Sequence, residues 1–333
     1  MRRISILVLM CFALTALWLL SVDTASVAFA QIPAVRHNTW SSGAAIPTAL
    51  LVPAVGVLGG QIYLVGGYDG APLADTQIYN PATNTWSTGT PLPTPTNSAT
   101  AAVVNNILYV IGGSTDGSNS QTNGVWAYSP KTKKWSVKTA MPTARQDAPA
   151  VVEKNIIYVI GGFSGSRSSG NPLATVESYN PATNTWTEEA PLLVAKQAPS
   201  VGLIGTPRTG FTIVAAEGNT TFGPSGFTGD NEGYNASANA WSSLKSAPTA
   251  RTLACAHSIG PQLYVAGGID SLGPALSRTE SFNLSKNAWR TLAPMPQPAA
   301  APGSAVYKGL LYCFGGWATW NGSVLNNVQI YQP

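Results

Sequence analysis

The side chains with the most chemistry to offer recur at two positions along this chain. The first lies in a series of proline-bearing loops and reads Leu50, Thr96, Arg145, Lys196, Arg251 and Ala299. Three consecutive loops thus present a cation, and Asn97, Gln146 and Gln197 stand beside this position. Clustered Arg and Lys can hold a carboxylate, phosphate or sulfate through charge-assisted hydrogen bonds. The second position reads Tyr68, Ser114, Phe163, Glu217, Ile269 and Trp317. Aromatic rings there can stack on a sugar or a peptide side chain. A carboxylate such as Glu217, set near cations, can move a proton. Together the two positions predict a half-ring basic pocket with aromatic walls and one carboxylate, suited to an anionic ligand. Its expected contacts are Arg145, Lys196, Arg251, Gln146, Gln197, Asn97, Tyr68, Phe163, Glu217 and Trp317.

Other chemistries find little support. The chain has only two histidines, His37 and His257, and three cysteines, Cys11, Cys255 and Cys313. No CxxC pair or Cys/His cluster offers a zinc site, and no G-x-S-x-G marks a hydrolase nucleophile. No metal and no cofactor are expected. Cys255 and Cys313 sit in apolar strand patterns, where a disulfide and two buried thiols are both open readings. The buried thiols are the reading taken.

These loops must be held by something regular, and a repeat supplies it. Gly-Gly pairs begin at Gly66, Gly112, Gly161, Gly267 and Gly315, spaced by 46, 49, 106 and 48 residues. The long gap is two periods, with Ala215-Ala216 read as the replaced pair and Glu217 following it, so six units are expected. Each pair ends a short apolar run such as Ile62-Tyr63-Leu64-Val65, which reads as a strand buried on both faces. An aromatic and a turn follow, as in Tyr79-Asn80-Pro81, then a tryptophan: Trp86, Trp135, Trp186, Trp241 or Trp289. The last unit stops before its tryptophan. The orphan Asn38-Thr39-Trp40 near the N-terminus matches Asn84-Thr85-Trp86, so the N-terminal strand is expected to complete the last unit and close a ring.

Four strands per unit, a Gly-Gly and a spaced Tyr…Trp resemble the kelch repeat over about residues 36–333. The resemblance implies an all-β fold: a six-bladed kelch β-propeller of four-stranded blades. In kelch domains that bind acidic peptides, similar loops carry the contacting arginines, which locates a site without naming its ligand. Galactose-oxidase-like copper propellers need paired histidines and a Tyr–Cys unit that this chain lacks. Periplasmic N-acetylneuraminate epimerases (mutarotases) share a signal peptide and a six-bladed kelch ring. That resemblance implies Glu217, Arg145 and Arg251 as catalytic candidates, although no arginine follows Glu217 within residues 218–233, where that family has one.

Residues 1–30 read as a signal peptide, with Arg2-Arg3, an apolar run from Ile4 to Leu20 and a small-x-small site at Ala28-Phe29-Ala30. The expected domains are therefore the leader, 1–30, and the propeller, 31–333, with no membrane span after cleavage and a secreted, periplasmic or cell-surface location. Net charge is +4 without a long basic run, which argues against nucleic acid. The leading functional reading is a secreted, monomeric, non-catalytic recognition module for an unidentified protein or glycan ligand. A sugar mutarotase is the alternative, and a structural envelope or adhesion component stands third.

Overall fold

In a computed structural model, the described residues are 37–333 apart from 118–119, 167–169, 207–209, 222, 224 and 320–321. The expected leader, 1–30, and Phe222 in the long loop of the fourth unit lie outside the described residues.

Six four-stranded antiparallel sheets follow one another along the chain. Blade one comprises Ala54–Leu58, Gln61–Val65, Thr76–Asn80 and Thr85–Thr88, and blade two Thr100–Val104, Ile107–Ile111, Val125–Ser129 and Lys134–Val137. Blade three comprises Ala150–Glu153, Ile156–Ile160, Val176–Asn180 and Thr185–Glu189, and blade four Ser200–Thr206, Gly210–Ala216, Asn231–Asn235 and Ala240–Leu244. Blade five comprises Cys255–Ile259, Gln262–Ala266, Thr279–Asn283 and Ala288–Leu292. Blade six takes Gly303–Tyr307, Leu310–Phe314 and Val328–Gln332 from the C-terminal end and Thr39–Gly43 from the N-terminal end. Trp40 pairs with Tyr331 in that last ladder, so the ring closes as the orphan tryptophan predicts.

The second strand of each blade is apolar over its last four residues because both its faces meet a neighbouring blade. Ile62 and Leu64 pack with Tyr312 and Phe314 of blade six, while Tyr63 and Val65 pack with Leu108 and Val110 of blade two. Alternate side chains thus point into different cores, which removes the polar–apolar alternation of a one-sided sheet.

The tryptophan signature, Asn-x-Trp in five blades and Lys133-Lys134-Trp135 in blade two, fastens each blade to the one before it. All six tryptophan Nε1–H groups donate to a carbonyl just past the outer strand of the preceding blade: Trp40 to Ala293, Trp86 to Ala44, Trp135 to Thr90, Trp186 to Thr139, Trp241 to Ala190 and Trp289 to Lys245. The ring packs at a tilt against the aromatic of its own third strand, as in Tyr79–Trp86 at 4.9 Å. Asn84, with φ 54°, accepts from both the Tyr79 hydroxyl and the Ala44 amide. A single Asn side chain in a left-handed turn therefore ties its own blade to the preceding one.

Cys255 and Cys313 form a disulfide, with Cα atoms 5.8 Å apart. This corrects the expectation of two free thiols. The two residues sit on the inner strand of blade five and the second strand of blade six, and only the stacking of those blades brings them together. A sequence separation of 58 gives no hint of it.

Candidate functional site

The antiparallel meander puts the loops between strands two and three, and those between blades, on one end of the ring. We call this end the loop face. The turns between strands one and two, and between strands three and four, lie at the other end, the turn face.

At the centre of the loop face, one residue per blade junction has a left-handed backbone: Val52, Ser98, Asp147, Ala198, Leu253 and Ala301, with φ between 42° and 56°. Their amides and carbonyls run head to tail around the channel. Val52 donates to Ala301, Ser98 to Val52, Asp147 to Ser98, Ala198 to Asp147 and Ala301 to Leu253. At the sixth junction, between blades four and five, the Thr252 hydroxyl donates instead to the carbonyls of Gln197 and Ala198. This girdle pins the neighbouring side chains around one cavity of about 550 Å³.

The cavity wall is divided into two arcs. Blades two to four contribute Asn97, Ser98, Gln146, Asp147, Gln197 and Asn219. Blades five, six and one contribute Leu253, Ile269, Ala301, Trp317, Leu51, Val52 and Tyr68. Phe227 from the blade-four loop and Asp270 from the blade-five loop complete the rim. On the polar arc, Gln146 and Gln197 both donate to Asp147 Oδ2, at 3.2 and 2.8 Å. Asn97 is buried, and its Oδ1 has no hydrogen-bond partner among the described residues.

The structure brings five of the ten sequence-predicted contacts to the cavity but removes the cations from it. Tyr68, Asn97, Gln146, Gln197 and Trp317 do line it. Arg145, Lys196 and Arg251 point the other way, into the blades, and are at most 1% exposed. Each is paired with a Glu on the third strand of the blade its loop enters: Arg145 with Glu177 at 2.7 Å, Lys196 with Glu232 at 2.8 Å, and Arg251 with Glu280. The cations also cap backbone carbonyls just past the second strand and just before the third: Arg145 on Gly161 and Thr175, and Arg251 on Gly267 and Arg278. The expected basic half-ring is therefore an internal clamp, sealed off from any ligand. Phe163 is likewise buried, at 0% exposure, and does not reach the cavity.

The clamp is legible in hindsight. The third-strand residue is Glu177, Glu232 or Glu280 where the loop carries a cation, and Gln77 or Gln329 in blades one and six, where it carries Leu50 or Ala299. Gln77 and Gln329 instead exchange hydrogen bonds with the backbone of Thr48 and Gln297, two residues earlier in the same loops. Charge on the strand follows charge on the loop, as an uncompensated buried charge would cost too much.

Glu217 also moves. The structure aligns Asn219, not Glu217, with Tyr68 and Trp317, since Gln197 bridges Asn219 as Leu51 bridges Tyr68. Glu217-Gly218 therefore replaces the Gly-Gly pair, and Ala215-Ala216 ends the strand before it. Glu217 keeps the pair's left-handed backbone, φ 59° against 63° for Gly66. Its side chain is 0% exposed, accepts from Arg251 Nε at 3.0 Å and from Ser200 at 3.1 Å. A Cβ added to Gly66 would collide with the Thr96 carbonyl oxygen. At Glu217 the matching loop supplies Arg251, whose guanidinium provides a partner for the carboxylate. Burial pushes the Glu217 carboxyl up to about 7, against the pull of Arg251 and with the push of Glu280. Burial pushes the Arg145 guanidinium down to about 10, opposed by Glu177, so it stays charged at neutral pH.

Glu217, Arg145 and Arg251, the residues a mutarotase would use, thus lie inside the wall. His257 borders the narrower channel below, of about 180 Å³, and burial pushes its imidazole down to about 4. His37 caps the carbonyl of Pro333 on the outer rim. Among the described residues, no group of His, Cys, Asp or Glu is arranged to hold a metal ion. No helix among them is long and apolar enough to cross a membrane.

The chain resembles known proteins along most of this ring. A family model described as the KLHDC2/KLHL20/DRC7 Kelch-repeats domain matches residues 42–222, just over half of the chain, and a Kelch motif matches residues 250–296. Kelch-like protein 36 of Rattus norvegicus is 27% identical over 172 residues, 50% of this chain and 27% of its own length. Kelch-like protein terF of Aspergillus terreus is 29% identical over 162 residues, 46% of this chain and 34% of its own. Kelch-like protein 23 of Homo sapiens is 26% identical over 169 residues, 51% of this chain and 28% of its own. The matches thus span about a quarter to a third of these relatives' length. The solved structure of YjhT superposes with a TM-score of 0.73 over 86% of this chain and 95% of that one, at 17% identity, which is a likeness of fold. Kelch propellers are commonly protein-interaction modules. With six four-stranded blades, a closing N-terminal strand and the matched family model, the chain belongs to the kelch-repeat family.

Proposed function

We propose that this protein is a non-catalytic recognition module whose loop-face cavity takes a segment of a protein or glycan. The observation that carries this reading is the two-arc wall. Amides and a carboxylate on one side offer donors and acceptors to hydroxyls or peptide groups. Trp317, Tyr68 and Ile269 on the other offer a surface for a ring or an apolar side chain. The burial of the three cations turns the reading from an anionic ligand to a neutral one. The buried state of Glu217, Arg145 and Arg251 favours binding over sugar isomerisation. The Cys255–Cys313 bond supports an oxidising, exported location.

The test is a screen of the purified protein against arrays of neutral and acidic oligosaccharides and of short peptides. Binding of a neutral member should fall roughly tenfold or more in Gln146→Ala/Gln197→Ala and in Trp317→Ala, the loss expected for about 1.4 kcal/mol of contact. A ligand whose affinity is unchanged in both variants would place recognition elsewhere on the ring. Selective capture of acidic members would refute the neutral reading.

A further inference from the structure

The two ends of the ring carry opposite charge. On the turn face lie Lys131 and Lys133 in the outer turn of blade two, and Lys134 opens its outer strand. Lys154 lies in the inner turn of blade three, Lys286 in the outer turn of blade five and Lys308 in the inner turn of blade six. All six are exposed. Among the described residues, the side-chain carboxylate at this face is Glu153, which is 7% exposed and already lies 3.5 Å from Lys154. No other ion pair among the described residues involves these lysines.

The loop face is the reverse. It carries Asp69, Asp75, Asp116, Asp147, Asp230 and Asp270 against Lys138, Lys245 and Arg278 among the described residues. The +4 of the whole chain therefore hides a dipole along the ring axis.

The placement of the lysines says what shape of partner fits. In a six-fold ring, blade two stands opposite blade five, and blade three opposite blade six. The cations straddle the channel, so a flat anionic surface meets all of them together, whereas one linear chain in a groove meets one side. The exposed large apolar side chains, Val137, Leu193 and Leu272, do not belong to the turns of this face. Contact would thus be electrostatic, without insertion.

We propose that the turn face is a docking surface for an anionic phospholipid bilayer, which leaves the loop-face cavity pointing away from it. Such docking is peripheral, relies on lysines near anionic headgroups and is screened by salt. It is independent of which ligand the cavity takes.

The test is co-sedimentation of the protein with large unilamellar vesicles, read as the difference between phosphatidylcholine alone and phosphatidylcholine with about a third phosphatidylserine. Partition onto the anionic vesicles should exceed that onto neutral ones at about 0.05 M salt and disappear by about 0.5 M. Lys131→Ser/Lys133→Ser/Lys134→Ser should cut the anionic-specific part at least tenfold, about 1.4 kcal/mol. Lys245→Ser, on the other face, should leave it unchanged. Circular dichroism checks that both variants fold, which exposed lysines should not affect. Equal partition onto both vesicles, no loss in the triple variant, or an equal loss in Lys245→Ser would overturn the proposal. Binding to soluble heparin with none to anionic vesicles would overturn it in favour of a linear polyanion.

Discussion

Replacing Glu217 with Gln should change how stability depends on pH, by an amount the structure supplies. Glu217 and Glu280 share Arg251, and all three are buried. Burial raises the Glu217 carboxyl from 4.5 to about 7 in the fold. Between those values the folded state holds a proton that the unfolded state has released. Stability from this group is therefore present in acid and is lost as pH rises toward 7. A shift of this size, at about 1.4 kcal/mol per unit, amounts to about 3 kcal/mol. His257 works in the opposite sense: its folded value is pushed down to about 4 from 6.5, so its cost in acid disappears as pH rises through that window. His257 borders the channel and is partly accessible, so solvent reduces its share below that of Glu217. Glu217→Gln keeps His257 and removes only the carboxyl. The difference in unfolding free energy, wild type minus variant, should fall by about 3 kcal/mol between roughly pH 4.5 and pH 7.5. Urea titrations across that range, with the disulfide intact, measure it, provided both proteins share one m-value. Parallel curves for the two proteins would refute the reasoning. They would mean that Arg251 keeps Glu217 ionised throughout.

Three further outcomes test the structure. Arg145→Met strands Glu177, which is 3% exposed, and should cost about 3–5 kcal/mol; Arg145→Met/Glu177→Leu should recover most of it, and additive losses in the double-mutant cycle would count against the clamp. Trp40→Ala gives up the contact with Tyr331 at 5.0 Å and the bond to Ala293, so it should lower stability by about 2–4 kcal/mol, and an unchanged thermal midpoint would count against closure by the N-terminal strand. Cys255→Ala/Cys313→Ala should cost about 2–4 kcal/mol, while non-reducing peptide mapping of the native protein should recover the linked pair; two freely alkylated thiols would contradict the bond.

The repeat, the number of blades and the closing strand were legible in the chain. The reason is that each rests on local spacing repeated six times. Gly-Gly after an apolar run and Asn-x-Trp after a turn fix backbone conformation and packing within one unit and its neighbour. The ring around the cavity was legible as well: Tyr68, Asn97, Gln146, Gln197 and Trp317 lie where two recurring loop positions put them. What the linear order could not give was the direction of a side chain one residue away. Arg145 and Gln146 are adjacent, yet one lies inside the wall and the other faces the cavity. Only the third strand, some thirty residues on, decides this, by supplying a Glu that needs a counter-charge. The same holds for Glu217, whose place in the Gly-Gly pair is set by the bridge from Gln197 to Asn219. It holds for Cys255 and Cys313, brought together by the stacking of two blades, and for the basic turn face, whose lysines are scattered in sequence and gathered by the ring. Sequence determined the elements and their order, because those follow from local periodicity. Tertiary structure decided which polar groups are buried with a partner and which are left for a ligand, because the cost of burying a charge depends on what stands across from it.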